Sequence, residues 1–351
     1  MIGPELLALV SEASHAVTRF DAHLGNEIAP FAAILLRSES ASSSQIENLS
    51  SGARQIALAE LGSREKRNAT EIVGNVAAMR AALSLADRLD TSAVLAMHRA
   101  LMESHAPDIA GHWRTDQVWI GGSNIGPHDA DYVAPPAAAV PGLMDDLITF
   151  AHREDLPPLA AAALAHAQFE TIHPFPDGNG RTGRALIQAM LRTRDITRNV
   201  TVPVSAGLLT DTRRYFEALN SYRGGDVSPI IESISHASLD AVASGTRLVS
   251  ALHQLRTRWE DRLSLRRDAS SWRLLDVLLR QPVVDGRAAA EALGITPANV
   301  GRAISPLVDA RILREFTGFD RNRMWCATEV TDILDEFARS AERGSLPHIE
   351  P

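Results

Sequence analysis

The segment Glu170–Arg184, ETIHPFPDGNGRTGR, concentrates residue types that bind anions and move protons. Gly178 and Gly180 let backbone N–H groups approach a ligand without interference from a Cβ atom, and they stand where the next helix is expected to begin. Arg181 and Arg184 follow three residues apart, on one face of that helix. Helix starts normally favour acidic residues, so two arginines there indicate a bound anion.

Two more side chains of this segment extend the chemistry. Asp177 beside an anion is repulsive unless a divalent cation bridges them, and Mg²⁺ held by one carboxylate plus substrate phosphates meets that need. His173 can take a proton from a hydroxyl near neutral pH and so prepare its oxygen to attack phosphorus. The segment therefore predicts Mg²⁺-dependent phosphoryl or nucleotidyl transfer from a nucleotide polyphosphate.

Other interpretations of the segment are weaker. The letters GNGRTG satisfy G-x-G-x-x-G, but a dinucleotide-binding fingerprint follows a strand in a βαβ unit, whereas this one follows an alanine-rich helical run. No Walker A lysine signature is present, since the single lysine is Lys66. A purely structural cluster, with the arginines paired to Glu170 or Asp177, is the bland alternative, although polar clusters of this density are rarely structural only.

The bulk composition limits the class of protein. The chain has 351 residues, 45% hydrophobic, enough for two or three packed units. Its net charge of −8 argues against a surface that coats nucleic acid or anionic membrane through charge alone. A single cysteine, Cys326, cannot form an internal disulfide, and the most apolar windows are short and alanine-rich. We therefore expect a cytoplasmic protein that does not enter a membrane.

Apolar residues at helical spacing predict a mainly α architecture. The exception is residues 112–136, where β-formers, a Gly-Gly turn and a proline pair predict a short β-hairpin flap. A polar break at Asp268–Ser271 predicts a domain boundary. Beyond it, three helical runs and a hairpin turning at Gly318–Asn322 have the order of a winged helix-turn-helix, which we expect to be dispensable for the transfer reaction.

Eight residues of the segment reproduce a known signature, H-x-F-x-D/E-G-N-G-R-x-x-R of the Fic family: His173, Phe175, Asp177, Gly178, Asn179, Gly180, Arg181 and Arg184. The predicted flap is also similar to the family's target-docking flap, and together the likeness covers about residues 1–235. The chain thus resembles Fic protein adenylyltransferases. The resemblance implies AMPylation, the transfer of AMP from ATP to a serine, threonine or tyrosine hydroxyl of a target protein or of the enzyme itself.

The resemblance also implies a role for each motif residue. His173 would be the general base, Asp177 would hold Mg²⁺, and Phe175 would anchor the loop in the core. The ATP phosphates would be bound by Gly178, Asn179, Gly180, Arg181 and Arg184. A homodimer, common in the family, is a further expectation. The chain then divides into an N-terminal helical region (1–90), a Fic core (91–235), a helical linker (236–268) and a winged helix-turn-helix (269–345).

A second segment, SSSQIENLS at residues 42–50, places Ser43 and Glu47 four residues apart on a predicted helix face. By itself such a string is most often an ordinary solvated helix. Ser43–Asn48 nevertheless matches the family's inhibitory motif, S/T-x-x-x-E-G/N. The resemblance implies an inhibitory helix whose Glu47 pairs with Arg184 and displaces the γ-phosphate. A carboxylate and a phosphate can compete in this way, because both accept the bidentate guanidinium fork.

Lesser candidates are a flap edge and a purine pocket. Val118, Trp119 and Ile120 would let a target segment add as a β-strand, although a structural role is as plausible for Trp119. Tyr215 and Phe216 would wall the purine, with core packing as the alternative for at least one. The histidines without ligand-like spacing are expected to be solvated or in the core: His112, His128 and His166.

The C-terminal unit leaves its partner open. Asn299 and Arg302 fall on the presumed recognition helix, and Arg314, Arg321 and Arg323 line the wing, as in a DNA reader. Nearby acidic residues cancel this charge: Asp309, Glu315, Asp320, Asp332, Asp335 and Glu336. DNA and a protein partner remain alternatives, as do two other functions, a DNA-binding regulator with a sensing Fic domain and a de-AMPylase in which Glu47 orients a water.

Overall fold

The computed structural model describes residues 2–24, 28–121, 128, 130, 132–318 and 322–343. Over these residues the chain is mainly α-helical, with two small antiparallel sheets, which confirms the predicted fold class. The first five helices are α1 (Pro4–Leu24), α2 (Ile28–Ile46), α3 (Ala53–Glu60), α4 (Arg67–Ser84) and α5 (Thr91–Met102).

The predicted flap follows as a hairpin of β1 (Trp119–Ile120) and β2 (Tyr132–Val133), with Trp119 opposite Val133. Its Gly-Gly turn extends beyond the described residues, which stop at Gly121 on that side. The helices after the flap are α6 (Val140–Ala151), α7 (Pro158–Ile172), α8 (Asn179–Thr193), α9 (Val204–Leu209), α10 (Thr212–Arg223) and α11 (Ser228–Asp261).

Helices α7 and α8 lie at the centre of the fold. The alanines of α7, such as Ala161, Ala163 and Ala167, are fully buried, and their small side chains allow neighbouring helices to approach closely. A helix that is apolar around its whole circumference belongs inside the core. Helix α8 packs against α7, α4 and α2. The loop that joins α7 to α8, which carries the candidate chemistry, is therefore fixed at both ends by the core.

Residues 236–261, predicted as part of a linker, lie in the long helix α11, which packs along α1 and α9. An apolar stripe that includes Ala241, Leu248, Leu252 and Trp259 is buried there. Helix α11 is therefore part of the core, and burial of a leucine such as Leu248 or Leu252 stabilises the fold by about 1.5–3 kcal/mol.

The C-terminal unit contains α12 (Ser270–Arg280), β3 (Val283–Asp285), α13 (Gly286–Leu293), α14 (Pro297–Asp309), β4 (Arg314–Glu315), β5 (Met324–Cys326) and α15 (Thr328–Arg343). Strand β5 lies between β3 and β4, antiparallel to both. Helix α12 begins at Ser270, inside the segment Asp268–Ser271 where the sequence predicts a boundary, and the boundary itself stays a prediction. The three helical runs and the paired strands β4 and β5 are present, and residues 319–321 of the predicted turn lie outside the described residues. Strand β3 is an addition that the sequence pattern did not predict.

This unit does not stand apart from the rest of the protein. Helix α12 packs on α2, and α15 packs on α2, α3, α9 and α11. The apolar side chains of both helices join the cluster that contains the N-terminal core. Removing the unit would therefore expose parts of α2 and α3, and the expectation that the transfer reaction does not need it stays a prediction. Across the described ranges, we find no helix with the length and apolar character needed to cross a membrane.

Candidate active site

The loop from His173 to Gly178 turns the chain from α7 into α8. His173 ends α7 in the left-handed conformation with φ 49°, and Gly178 precedes α8 with φ 77°, a region that glycine enters without strain. The Asn179 side chain holds the turn, since its Oδ1 accepts from the Phe175 N–H and its Nδ2 donates to the Phe175 carbonyl, both at 2.8 Å. Asn179 thus closes the loop onto the first turn of α8.

Phe175 is fully buried and stacks on the imidazole of His98, a residue of α5 that the sequence analysis missed. The two ring centroids lie 3.6 Å apart at 6°. His98 Nδ1 accepts from the Gly111 N–H at 3.0 Å, so Nε2 is the nitrogen that donates to the Asp177 carbonyl, also at 3.0 Å. Burial lowers the pKa of His98 to about 4, so the ring stays neutral and braces the loop.

His173 lies at the mouth of the loop with its side chain 20% exposed. Its Nδ1 is buried, 3.7 Å from Glu170 Oε2. Burial lowers the pKa of His173 to about 4, although a hydrogen bond to the Glu170 backbone acts in the opposite direction. At neutral pH the imidazole is therefore uncharged and able to accept a proton.

Arg181 is buried at 3% exposure, and two carboxylates lie near its guanidinium. Nη1 is 3.7 Å from Glu71 Oε2, and Nη2 is 3.6 Å from Asp177 Oδ1. Within the described residues, Nε and Nη1 of Arg181 are buried without a hydrogen-bond partner. A buried donor without a partner is unfavourable, so this guanidinium is prepared to bind an anion. Glu71, on α4, gave no signal in the sequence.

Asp177 is the exposed carboxylate of the site, with 64% of its side chain accessible. In the part of the chain that the structure describes, no group of three or more His, Cys, Asp or Glu side chains is arranged to hold a metal ion. A cation here would rely on Asp177 and on oxygens of a bound phosphate, a donor set that suits Mg²⁺.

Arg184 is buried at 1% exposure and is engaged by the end of α2. Its Nε donates to Ser43 Oγ at 2.9 Å, and its Nη2 donates to the Ser43 carbonyl and to Glu47 Oε1, both at 2.7 Å. Burial opposes the charge of Arg184, but the Glu47 carboxylate raises the pKa of the guanidinium overall. The structure thus brings together two segments that are 137 residues apart in sequence.

Glu47 differs from the sequence expectation in one respect. Helix α2 ends at Ile46, so Glu47 lies in the turn that follows, where its N–H bonds to the Ser44 carbonyl, and the predicted helix does not extend to residue 50. The turn directs the carboxylate over the start of α8. A Cβ atom added to Gly180 would overlap the Glu47 carboxylate. Glu47 therefore occupies the space next to the backbone that was expected to face a ligand.

The two candidates for a purine pocket are separated by the fold. Tyr215 is buried at 1% exposure, and its hydroxyl lies 2.7 Å from Nε2 of the buried His166. The Tyr215 ring therefore packs in the core and cannot wall an open pocket, whereas Phe216 is 48% exposed. His112 and His128 are exposed, as expected.

The flap residues Val118, Trp119 and Ile120 are each half-buried. The Val118 carbonyl accepts from the Ala134 N–H at 3.1 Å, which joins the two arms of the hairpin next to the sheet. Arg114, just before the flap, is buried and hydrogen-bonds to the His173 carbonyl at 2.8 Å, a contact with no local signal in the sequence.

Two family models match the chain, one over the segment with Glu47 and the other over the α7–α8 joint. The model of the Fic/DOC family N-terminal region matches residues 7–84, and the model of the Fic/DOC family matches residues 88–191. The chain belongs to the Fic/DOC family. The matched ranges include the α2 turn with Glu47 and the whole α7–α8 joint, so both parts of the site lie within recognised family regions.

Curated Fic proteins are similar in sequence over this region. "Protein adenylyltransferase Fic" of Nematostella vectensis is 30% identical over 171 residues, 47% of this chain and 36% of that protein. "Protein adenylyltransferase fic-1" of Caenorhabditis elegans is 30% identical over 178 residues, 49% of this chain and 32% of that protein. The chain thus spans about a third of the length of these relatives.

Solved Fic structures share the fold. A Fic family protein from Desulfovibrio desulfuricans superposes with a TM-score of 0.59 at 23% identity, covering 93% of this chain and 97% of that one. Fic-1 from C. elegans superposes with a TM-score of 0.52 at 22% identity, covering 72% and 75%. Because the first match covers 93% of this Fic chain, it includes most of the C-terminal unit.

Five buried groups of this Fic protein predict how its stability depends on pH. Burial raises the pKa values of Glu39 and Glu170 from 4.5 to about 7. Their contribution to the free energy of unfolding is therefore fully present below pH 4.5 and is lost as the pH rises through about 7. Burial lowers the pKa values of three histidines below 6.5: His98, His166 and His173. Their contribution to the free energy of unfolding is fully present above pH 6.5 and is lost as the pH falls. The free energy of unfolding should therefore peak near about pH 6.5.

Urea unfolding measured between pH 5 and 8 would check this expectation. The matched variant is Glu39→Gln, which keeps an oxygen for Ser205 but removes one titrating carboxyl. It should weaken the decline above the maximum by about half, because one of two glutamates remains. Stability that keeps rising to pH 8 in the unaltered protein would contradict the assignment.

Proposed function

We propose that the protein transfers AMP from ATP to a serine, threonine or tyrosine hydroxyl of a target protein or of itself. The observation that carries the proposal is the α7–α8 joint, where a neutral His173 stands at the mouth of a loop that leads to the incompletely paired guanidinium of Arg181. Membership of the Fic/DOC family supports it, as do relatives named protein adenylyltransferases.

In this mechanism His173 accepts the proton of the target hydroxyl, and the oxygen attacks the α-phosphorus of ATP. The bond from the α-phosphorus to the bridging oxygen breaks, so pyrophosphate leaves and AMP is joined to the protein. The N–H groups at the start of α8, from Gly178 to Gly180, would bind the phosphates together with Arg181 and Arg184. These groups are fixed by the core before ATP binds, so the loop itself would need little reorganisation once Glu47 has moved away.

Asp177 would hold Mg²⁺ together with phosphate oxygens, and the ion would neutralise charge on the pyrophosphate as it leaves. The exposed position of Asp177, 3.6 Å from Arg181, supports this role, because it lies at the edge of the phosphate site and faces solvent. Phe216 is the aromatic residue that we propose to contact the adenine, since its side chain is exposed, whereas Tyr215 supports it from the core.

We propose further that the enzyme is autoinhibited. The Glu47 carboxylate pairs with Arg184 and covers Gly180, so the γ-phosphate of ATP would compete with it for the same guanidinium. Release of Glu47 would let ATP settle with its α-phosphorus in line with His173. De-AMPylation is the second candidate function, supported by the 38% exposure of the Glu47 side chain, which leaves the carboxylate able to orient a water.

The flap would bind the target segment. Val118, Trp119 and Ile120 offer an edge next to the His173 loop, and strand addition there would deliver a hydroxyl to the base. We infer that the C-terminal unit is a winged helix-turn-helix, since β3 follows α12, the β4–β5 pair follows α13 and α14, and the three strands form one sheet. The cytoplasm remains the proposed compartment.

Two further partners are proposed: duplex DNA at the C-terminal unit, and a second copy of the chain in a homodimer. The exposed face of α14 carries Asn299 and Arg302 but also Asp309, and Arg323 is paired with Glu315 at the wing. Arg321, the third wing arginine, lies outside the described residues. This charge balance favours a protein partner over DNA.

Mass spectrometry of the purified protein, incubated with ATP and Mg²⁺, tests the proposal directly. An adduct of one AMP on a hydroxyl residue is the expected result. The adduct should not form when a chelator removes the metal before ATP is added. Absence of any adduct from the enzyme freed of Glu47, with or without an added acceptor protein, would refute AMP transfer.

A further inference from the structure

The buried side chain of Arg114 hydrogen-bonds to backbone carbonyls at the end of α7. It lies between α5 and β1, is 3% exposed, and directs its guanidinium at backbone carbonyls. Its Nε donates to the His173 carbonyl at 2.8 Å, and its Nη2 donates to the Ile172 carbonyl at 3.3 Å. Arg114 thus holds the left-handed end of α7, where the base stands.

The same guanidinium also holds both arms of the flap. Its Nη1 donates to the Asp116 carbonyl on the way into β1, and its Nη2 donates to the Pro135 carbonyl on the way out of β2, at 2.9 and 2.5 Å. The Arg114 N–H adds a bond to the Pro174 carbonyl at 2.9 Å. One residue therefore joins the His173 loop to the surface proposed to bind the target.

We propose that Arg114 is a positioning residue that fixes His173 relative to the target segment on the flap. The inference rests on the proposed AMP transfer. A planar guanidinium with five N–H donors can satisfy carbonyls from several segments at once, which the single ammonium of lysine cannot. The base and the target hydroxyl must meet within hydrogen-bond reach, and small misplacements reduce rates strongly. Among the described residues, the hydrogen bonds of the Arg114 guanidinium go to carbonyls of the α7 end and the flap and not to the residues proposed to bind phosphate, so ATP affinity should be independent of it.

The test is Arg114→Lys in full-length protein that also carries Glu47→Gly. We expect kcat to fall by about tenfold or more, with ATP affinity changed by less than about twofold. Hydrogen exchange of residues 116–120 and 172–176 should become faster. The matched control is Arg194→Lys, because Arg194 also donates to a carbonyl, that of Ala151 at 3.0 Å, but at the far end of α8. The control should leave all three measurements unchanged.

Unchanged kcat in Arg114→Lys would overturn the proposal, as would a loss of ATP affinity in parallel with kcat, which indicates general damage. If the Glu47→Gly parent itself transfers no AMP, the proposed function fails. Hydrogen exchange of residues 116–120 and 172–176 still tests the positioning role in that case, because it needs no activity. Equal exchange rates in Arg114→Lys and its parent would refute that role.

The C-terminal unit covers one face of α2 through α12 and α15. Gln45, two residues before Glu47, donates a hydrogen bond to Glu342 of α15. On the other side of the Glu47 turn, Asp335 of α15 accepts from the Ala53 N–H at 2.7 Å, at the start of α3. Helix α15 therefore contacts the chain immediately before and after the segment that carries Glu47.

Helix α12 and its C-terminal end add to this contact. Arg37 of α2 donates to Gln281 Oε1 at 3.2 Å, and Gln281 Nε2 donates to the Ala57 carbonyl of α3 at 3.0 Å. Leu334 and Phe337 of α15 are buried in the same cluster as the apolar residues of α2. Both helices that hold the Glu47 turn are thus fixed by the C-terminal unit.

We infer that α15 is a clamp on the inhibitory turn, so that separation of α15 from α2 loosens the Glu47–Arg184 contact. The inference rests on the proposed autoinhibition. Coupling of this kind requires contacts that differ between the two states, and we propose that the bonds of Gln45 and Ala53 to α15 are lost when Glu47 leaves Arg184. Loss of the clamp should raise ATP affinity, because Arg184 becomes available to the γ-phosphate.

The test is the double variant Asp335→Ala/Glu342→Ala in the full-length chain. We expect faster hydrogen exchange at residues 40–48 and an increase in ATP affinity of about fivefold or more, the low end of typical couplings between sites. The matched control is Asp332→Ala, which removes an exposed carboxylate from the same helix. In the Glu47→Gly background the double variant should add nothing to ATP affinity.

Unchanged exchange at residues 40–48 would overturn the clamp, as would faster exchange without a gain in ATP affinity. A further gain in affinity in the Glu47→Gly background would also overturn it, because α15 would then act on another residue. If Glu47→Gly binds no ATP at all, the proposed function fails, and the exchange comparison still tests the clamp.

Discussion

Self-AMPylation is expected to rise by about tenfold or more when Glu47 is replaced by glycine, the factor that ~1.4 kcal/mol of lost competition gives. The reason is the bond of Glu47 Oε1 to Arg184 Nη2 at 2.7 Å, which occupies the guanidinium proposed for the γ-phosphate. Removing the carboxylate also clears the space beside Gly180. Incorporation of labelled AMP into the purified protein measures the effect.

The control is the double variant Glu47→Gly/Arg184→Ala, which should lose the gain, because no group remains to bind the freed phosphate. The double variant also removes the Arg184 donor of the Ser43 hydroxyl, so its thermal stability should be measured beside the transfer assay. An unchanged rate in Glu47→Gly would refute the inhibitory role. Assaying removal of AMP from a modified protein separates the second candidate, since a de-AMPylase would lose that activity in the single variant.

Replacing His173 by alanine should abolish AMP transfer while ATP still binds. The neutral imidazole is proposed to accept the proton of the target hydroxyl, and general bases contribute about 10²- to 10⁴-fold to rates. The groups proposed to bind phosphate lie on α8 and do not depend on the side chain of His173. We expect loss of kcat by at least the lower of these factors, with ATP affinity changed by less than about twofold.

The measurement pairs a transfer assay with calorimetric titration of ATP, both in the Glu47→Gly background so that the starting rate is high. The matched control is His152→Ala, which removes a histidine that bonds to the Leu89 carbonyl at 2.8 Å, away from the site. Transfer that survives in His173→Ala would show that another group is the base. Transfer and ATP affinity lost together would indicate that the loop has collapsed.

The sequence by itself determined the local parts of the site. The residue types and spacing from His173 to Arg184 predicted a loop between two helices with an anion-binding start of α8, and the structure has that joint. These features are local, because Asn179 bonds to Phe175 within the loop and Gly178 takes its own positive φ. The helical periodicity likewise predicted the mainly α fold, since an amphipathic stripe directly reports which face is buried.

Tertiary structure decided which distant residues complete the site. His98, Glu71 and Arg114 come from three separate segments of the chain. His98 and Arg114 bond to the loop and Glu71 lies beside Arg181, and none of these contacts has a periodic signal in the sequence. Tyr215 appeared as a pocket candidate, yet packing against His166 turned it into the core. Sequence spacing cannot reveal such outcomes, because they depend on how helices far apart in the chain cross.

The same reason explains the C-terminal unit. Its helices and hairpin could be predicted from local patterns, but the docking of α15 against α2 could not, since the bonds from Gln45 to Glu342 and from Ala53 to Asp335 span nearly the whole chain. Local propensity determines each element, whereas burial of complementary faces determines which elements meet. The contact of Glu47 with Arg184 likewise joins residues 137 positions apart, which only the packing of the folded chain brings together.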